Sequence, residues 1–365
     1  MKQARTRAYP SRPDYWLLAV AFGLVVMGLI ALYSAAMALD PDDPSRLLLR
    51  QLAWAGIGVV ALFIVARTDY HRWQLYTLPL LVLALAGLAI VLVMGTEVFG
   101  SRRWFFRGSI QPSEFTKIAL VIYIAFWLST KGDEVRNATY GLIPFSALVG
   151  FVAALIVLQP DFSTAALIAL TAVVMFFVAG ADLKQMLLTV LVGLGTAGLL
   201  VFSSDYRLAR VLTFRDSLRD PLNAGYHVRQ AIIALGSGGL AGRGLGNGVL
   251  KFGHLPAIHT DSIFAVIGEE LGFLGCALVL VLFGLLAWRG FRTALRAEDS
   301  FGTFLAAGLI CLITAQAALN IAVATATVPF AGVPLPFISF GGSSLVVSLT
   351  SVGILFNISG HRVED

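Results

Sequence analysis

Charge is what this sequence lacks most. Only 13% of its 365 residues are Asp, Glu, Lys or Arg, where a soluble domain carries about 25%. With 58% apolar residues, a water-soluble fold of this length could not hide its apolar surface, and a bilayer removes the need. Length alone would imply about two soluble domains. Helices in lipid form one bundle instead, so a single polytopic domain over 1–365 is expected. Cysteine is nearly absent: Cys276 and Cys311 each sit in mid-run among apolar residues, and no structural disulfide is expected. Histidine is scarce as well. His71, His227, His254, His259 and His361 form no pair at ligand spacing with an acidic third, which argues against a dedicated zinc site. A Mg²⁺ or Mn²⁺ ion shared with a bound ligand stays open, because Mg²⁺ is commonly held by one or two carboxylates plus phosphate. The net charge of +5 does not point to nucleic acid. The basic residues are scattered over short loops beside apolar runs, where they anchor helices and set topology.

What is present is a series of apolar runs, each close to the roughly 20 residues that cross a bilayer. Ten are read, near 15–39, 47–66, 75–94, 115–130, 142–158, 163–180, 184–202, 262–288, 301–328 and 338–358. The fold class is therefore all-α integral membrane. The first run, from Trp16 to Leu39, is too long for a cleaved signal peptide and reads as a retained helix. An even number places both termini on one side. With the N-terminus cytoplasmic, 13 basic residues lie inside. Six lie outside once the seven in the long segment 203–260 are set aside, since long translocated segments obey the positive-inside rule poorly. That segment is expected to be an extracytoplasmic loop between helices seven and eight. Its stretch from Gly236 to Gly248 is too rich in glycine for a stable spanning helix, and its glycine spacing lacks the strand that a nucleotide fingerprint requires. Just before it, Val228, Ile232 and Leu235 recur at helical spacing, which suits a short helix lying on the membrane surface.

Ionisable residues in or beside membrane spans are costly and mark function more often than in a soluble core. Three clusters qualify. In Gly100–Lys117, Pro112 opens a helix and Glu114 shares a face with Lys117. This fits a helix cap with one surface ion pair; with Arg102 and Arg103 added, it equally fits a diphosphate held by cations at a helix N-terminus. In the second cluster, Gln159-Pro-Asp161, the aspartate is read first as a cap for the helix that follows. In the third, Asp261 stands where the long loop re-enters the bilayer, with Glu269 and Glu270 two turns later in an apolar run. Asp261 reads as a reactive carboxylate or as a cap. Adjacent carboxylates in such a run need partners, water or neutralisation, so at least one of Glu269 and Glu270 is expected in an internal network.

Taken in order, these blocks resemble the SEDS (shape, elongation, division, sporulation) family that includes FtsW and RodA. The resemblance rests on Arg103-Trp104 with Gln111–Lys117, Gln159–Asp161, Arg207–Arg210, Gly236–Gly239, Leu255-Pro256 with His259–Asp261, Glu269–Gly272, and Pro334–Ser344, which includes Ser343. It covers nearly the whole chain, and Gly244–Asn247 followed by Lys251–Gly253 looks more like the division branch than the elongation branch. It implies a peptidoglycan glycosyltransferase that polymerises lipid II, the undecaprenyl-diphosphate disaccharide–pentapeptide, at the outer face of the bacterial cytoplasmic membrane. The implied partner is a class B penicillin-binding protein. By the same resemblance Asp261 is the catalytic base, while Arg102, Arg103, Glu114, Lys117, Arg210 and His259 contribute to the substrate site. Gln159, Asp161, Glu269, Glu270 and Ser343 fall to a supporting network. The chain departs from the common pattern at Ser163, His227, Ser262 and Phe340, none of them a proposed catalytic group. A lipid II flippase and a non-catalytic scaffold of the cell-wall synthesis complex are the competing functions. A flippase would put its key charges near mid-membrane, at Glu269 or Glu270.

Overall fold

The computed structural model describes residues 12–40, 42–98, 101–105, 110–202, 208, 226–253, 255, 257–329 and 331–361, without the side chains of 97, 98, 101, 102 and 227. Its helices are Tyr15–Leu39 (α1), Ser45–Arg67 (α2), Trp73–Met94 (α3), Pro112–Lys131 (α4), Ile143–Val157 (α5), Phe162–Val178 (α6), Leu183–Phe202 (α7), Tyr226–Ser237 (α8), Ile263–Leu295 (α9), Ser300–Ala324 (α10) and Gly342–Ser359 (α11). Among the described residues nine helices are long and apolar enough to cross a membrane, and α6 is a shorter apolar helix. Every apolar run read from the sequence thus has a helical counterpart.

Local chemistry explains where these helices start. Asp14, Asp161 and Asp299 cap α1, α6 and α10 with carboxylate oxygens that accept from backbone amides, each cap contributing about 1 kcal/mol. Pro112 occupies the first turn of α4, where its missing N–H costs nothing. Helices α10 and α11 form the centre. Their most apolar stretches are 67% and 78% buried in protein, with α11 against α2 and α10 against α4, α6 and α9. At the periphery, α7 has no buried residue at all. The N-terminal third is tied to the C-terminal third by polar contacts. The Asp14 amide donates to Ser359 Oγ at 2.8 Å, Gln51 Nε2 to the Ser339 carbonyl at 3.2 Å, and the Tyr70 amide to Asn357 Oδ1 at 2.9 Å.

Four features differ from the sequence reading. First, a small antiparallel hairpin, Thr96–Val98 (β1) with Ser101–Trp104 (β2), interrupts the all-helical pattern and carries Arg102 and Arg103. Second, α9 runs to Leu295 instead of stopping at 288. The Arg289 guanidinium lies 4.7 Å from the Trp288 ring and 5.6 Å from that of Trp16, and 3.3 Å from Asp14, so the helix continues past its apolar run. Third, α10 ends at Ala324 and α11 begins at Gly342, because the residues between are used as a connecting loop described below. Fourth, α8 buries Val228, Ala231 and Ala234 and packs on α9, whereas Ile232, expected on its apolar face, is 39% exposed.

The glycine-rich stretch after α8 lies along a break in α9. Arg243 and Gly244 donate their amides to the Glu269 and Glu270 carbonyls, and Phe273 and Leu274 donate theirs to Gly239 and Leu240. Such cross-pairing is open only to a helix that stops. Gly272 adopts φ +65°, outside helical space, and faces Gly242 at φ +78°. A Cβ on Gly242 would overlap the Glu270 carbonyl, and one on Gly272 the Gly242 amide. Both positions therefore require glycine, for conformation and for room.

Candidate active site

The residues between α10 and α11 form a hub that two polar groups share. On one side is the start of α4. Lys117 Nζ donates to Glu114 Oε1 at 2.8 Å and to Gln316 Oε1 of α10 at 2.6 Å, and all three residues are at most 3% exposed. The surface ion pair allowed by the spacing is thus an interior one. Gln316 Nε2 continues to the Pro334 carbonyl at 2.9 Å. The Gln111 amide meets Ser343 Oγ at 3.3 Å, and its side chain donates to Asp161 Oδ2 at 3.0 Å. Asp161 does serve as the cap of α6, accepting from the Thr164 amide at 3.2 Å. It also faces Arg103 Nη1 at 3.8 Å, so one carboxylate joins the hairpin to two helices. Gln159 donates to the Leu88 carbonyl at 3.1 Å and holds α3 to the same region.

On the other side of the hub is the loop before α9. Asp261 is partly exposed. The N-cap of α9 is Ser262, one residue on, so Asp261 is not the cap that the sequence allowed. Three successive carbonyls in this loop receive donors. Phe340 N–H donates to His259 O at 2.8 Å, Ser339 Oγ to Thr260 O at 2.6 Å, and Asn320 Nδ2 to Asp261 O at 3.2 Å. Asn320 Nδ2 also reaches the Val333 carbonyl at 2.8 Å. Lys117 and Asp261 are thereby connected through Gln316 and Asn320, one turn apart on α10, and through residues 333 and 334 of the hub.

The pair Glu269 and Glu270 does different work. Glu270 Oε1 lies 2.7 Å from Lys251 Nζ and accepts from Ser34 Oγ at 2.5 Å, while Oε2 accepts from the Gly246 amide at 3.1 Å. Lys251 Nζ also donates to Ser34 Oγ at 2.7 Å and to the Gly246 carbonyl at 2.8 Å. Glu269 Oε1 accepts from the amides of Val249 at 2.7 Å and Leu250 at 3.2 Å. Both carboxylates are buried and hold the glycine-rich loop to α9 and α1. Lys251, Ser34, Gln316 and Asn320 were missed in the sequence. Gln316 and Asn320 carried a usable signal, two amides four residues apart in an apolar helix; the distant partners of Lys251 did not. Arg210 lies outside the described residues, and Arg102 is placed only by its backbone in β2. Among the described residues no three His, Cys, Asp or Glu side chains are grouped to hold a metal ion.

His259 precedes the carboxylate by two residues, with its ring 5.7 Å from that of Phe340. Burial pulls its imidazole below the ordinary value. The folded state then binds fewer protons than the unfolded chain, and stability falls as pH drops through about 6.5. Thermal unfolding measured between pH 7.5 and 5.5 should show that loss in the wild type. A His259→Gln variant should be flatter over the same range; equal slopes would remove His259 as the cause.

The family model that matches this chain is that of the cell cycle proteins FtsW, RodA and SpoVE, over residues 15–364. The chain belongs to this family. Its relatives include stage V sporulation protein E of Bacillus subtilis, 41% identical over 96% of this chain and 97% of that protein. They also include the probable peptidoglycan glycosyltransferase FtsW of Trichlorobacter lovleyi, 39% identical over 95% and 93%. Among solved structures, a chain from a peptidoglycan synthase complex that coordinates polymerization and crosslinking superposes with a TM-score of 0.80 at 30% identity, covering 97% of this chain and 99% of that one. The rod shape determining protein RodA of Thermus thermophilus superposes with 0.72 at 29% identity, over 97% and 98%. Within the FtsW/RodA/SpoVE family the chain is FtsW-like, and it is a multi-pass membrane protein.

Proposed function

We propose that this chain is a peptidoglycan glycosyltransferase that polymerises lipid II into glycan strands at the outer face of the bacterial cytoplasmic membrane, in cell division or elongation. In this orientation both termini are cytoplasmic and segment 203–260 is extracytoplasmic. The observation that carries the reading is the shared hub: a partly exposed carboxylate, Asp261, is tied through Asn320, residues 333–334 and Gln316 to the buried Lys117–Glu114 pair. The 4-hydroxyl of an acceptor sugar attacks the anomeric carbon of the donor. The new bond joins that oxygen to the carbon, the bond to the lipid diphosphate breaks, and the hydroxyl proton passes to Asp261. A sugar hydroxyl is a weak nucleophile, so a carboxylate within hydrogen-bond reach contributes directly. Arg102, Arg103, Lys117 and Arg210 are the cations assigned to the charge that develops on the departing diphosphate, with Glu114 orienting Lys117 and His259 beside the sugar. Asp161, Gln159, Ser343 and the pair Glu269–Glu270 support this frame. A Mg²⁺ or Mn²⁺ ion, held by one or two carboxylates with the phosphate oxygens, would neutralise leaving-group charge.

The partner we assign is a class B penicillin-binding protein, an assignment supported by the likeness to a chain of a peptidoglycan synthase complex that coordinates polymerization and crosslinking. A flippase reading needs Glu269 or Glu270 available to cargo, yet Glu270 is engaged by Lys251 and the Gly246 amide, and Glu269 by the amides of Val249 and Leu250. The deciding experiment is glycan synthesis from purified lipid II in proteoliposomes, with the chain alone and with its cognate penicillin-binding protein. Polymer of many disaccharides is the expected product. If none forms even with the partner, while labelled lipid II crosses the bilayer, the flippase reading replaces this one.

A further inference from the structure

We propose that Asn320 is a positioning residue for Asp261, fixing the loop so that the carboxylate lies over Gly332, where the acceptor hydroxyl enters; this rests on the polymerase reading above. Asn320 is 1% exposed within an apolar helix, where leucine would pack at lower cost. Its Nδ2 is used twice, on the Asp261 and Val333 carbonyls. Among the described residues its Oδ1 meets no hydrogen-bond partner, and an unpaired buried acceptor is destabilising. The side chain is therefore retained for its two donors. Both donors serve to join the Asp261 loop to the segment that contains Gly332.

The aim of the carboxylate follows from this join. With the carbonyls of His259, Thr260 and Asp261 all held, the direction of the Asp261 Cα–Cβ bond is set by three points on the main chain. Asp261 Oδ2 then lies 3.4 Å from where a Cβ on Gly332 would be. Gly332 is exposed and is not among the glycines at positive φ, so its backbone would accept alanine. The missing side chain leaves room at the carboxylate. A hydroxyl delivering its proton to Oδ2 needs that room, since a productive approach requires the reacting atoms at about 3–3.5 Å.

The test compares wild type, Asn320→Asp, Gly332→Ala, Asp261→Asn and the double variant Asp261→Asn/Asn320→Asp, reconstituted with the partner on lipid II. Asn320→Asp keeps the volume and replaces both donors by an acceptor. Its expected effect is a kcat lower by about a hundredfold, the scale of a misplaced catalytic group, with KM for lipid II within about twofold. The double variant should be no slower than Asp261→Asn, because residues acting as a unit do not multiply their losses. Gly332→Ala should lower kcat about tenfold without altering the melt. Amide hydrogen exchange is read in parallel. Loss of the tether should quicken exchange across 257–262 and 331–341 about tenfold, the equivalent of one hydrogen bond, leaving α5 and α6 unchanged. Should Asn320→Asp fail to fold, Asn320→Ser repeats the test without a buried charge. Multiplied losses, a wild-type kcat in both Asn320 variants, or unchanged exchange would overturn the proposal. If Asp261→Asn itself polymerises normally, the base assignment has failed instead; if wild type makes no polymer, exchange alone still decides whether Asn320 holds the loop.

Discussion

Replacing Asp261 by asparagine should lower polymerisation of lipid II about a thousandfold while leaving the fold intact. The size of the effect is that of removing a general base, typically 10²–10⁴. The intact fold follows from the contacts. Asn320 donates its hydrogen bond to the Asp261 carbonyl oxygen, a main-chain atom that the substitution keeps, and the N-cap position of α9 is Ser262. Asparagine matches aspartate in shape and loses the capacity to take a proton from a hydroxyl. Rates measured on proteoliposomes, beside melting curves of the same preparations and pull-down of the partner, separate chemistry from folding. A rate loss under tenfold in a folded variant would mean that the proton goes elsewhere, and His259, held neutral by burial, would be the next group to replace.

Lys251→Met should cost about 3–5 kcal/mol of stability, the range for removing one partner of a buried ion pair. Lys251 and Glu270 are both buried, and the ammonium is 2.7 Å from the carboxylate. After the substitution Glu270 retains Ser34 Oγ and the Gly246 amide but no cation within contact among the described residues. It must then remain as an uncompensated charge or take up a proton, and either is costly in the interior. A second change, Glu270→Gln in the same chain, should recover most of the loss, since a neutral amide still pairs with Ser34 and Gly246. Thermal unfolding of the single and double variants in detergent is the measurement. If the double variant is as unstable as the single one, the cost arises from lost packing of the lysine stem, and the charge argument is wrong.

The helices were legible because bilayer thickness leaves a length signature in apolar runs, and all ten runs became helices. Their ends were less legible for identifiable reasons. Arg289 and Arg292 look like the close of a span, yet their guanidinium groups stack on Trp288 and the helix passes through them. Gly341 and Gly342, with the preceding Phe337 at φ +66°, delay α11 because Ser339 is needed in the hub. Asp261, Lys117 and Glu114 were conspicuous as ionisable groups in apolar surroundings. Asn320 and Gln316 were overlooked because neutral amides draw less attention than charges, although at helical spacing in a membrane helix they are equally out of place. The Lys251–Glu270–Ser34 triad was beyond any local reading: the serine is 217 residues from the lysine, and nothing near either residue names the other.

The polar ties between the two ends of the chain bear on how the protein is made. Asp14 waits for Arg289 and Ser359, Ser34 for Glu270, Gln51 for Ser339 and Tyr70 for Asn357, across separations of 236 to 345 residues. At about 5–20 residues per second a ribosome needs roughly 12–70 s to supply such a stretch. Through that interval these groups of the earliest helices lack the long-range partners they have in the folded protein. The ties from Asp14 and Tyr70 to Ser359 and Asn357 close only once α11 has emerged. A chain cut before Gly342 would lose the Ser359 and Asn357 ties and the packing of α11 on α2, while keeping the partners of Asp14, Ser34 and Gln51 at Arg289, Glu270 and Ser339.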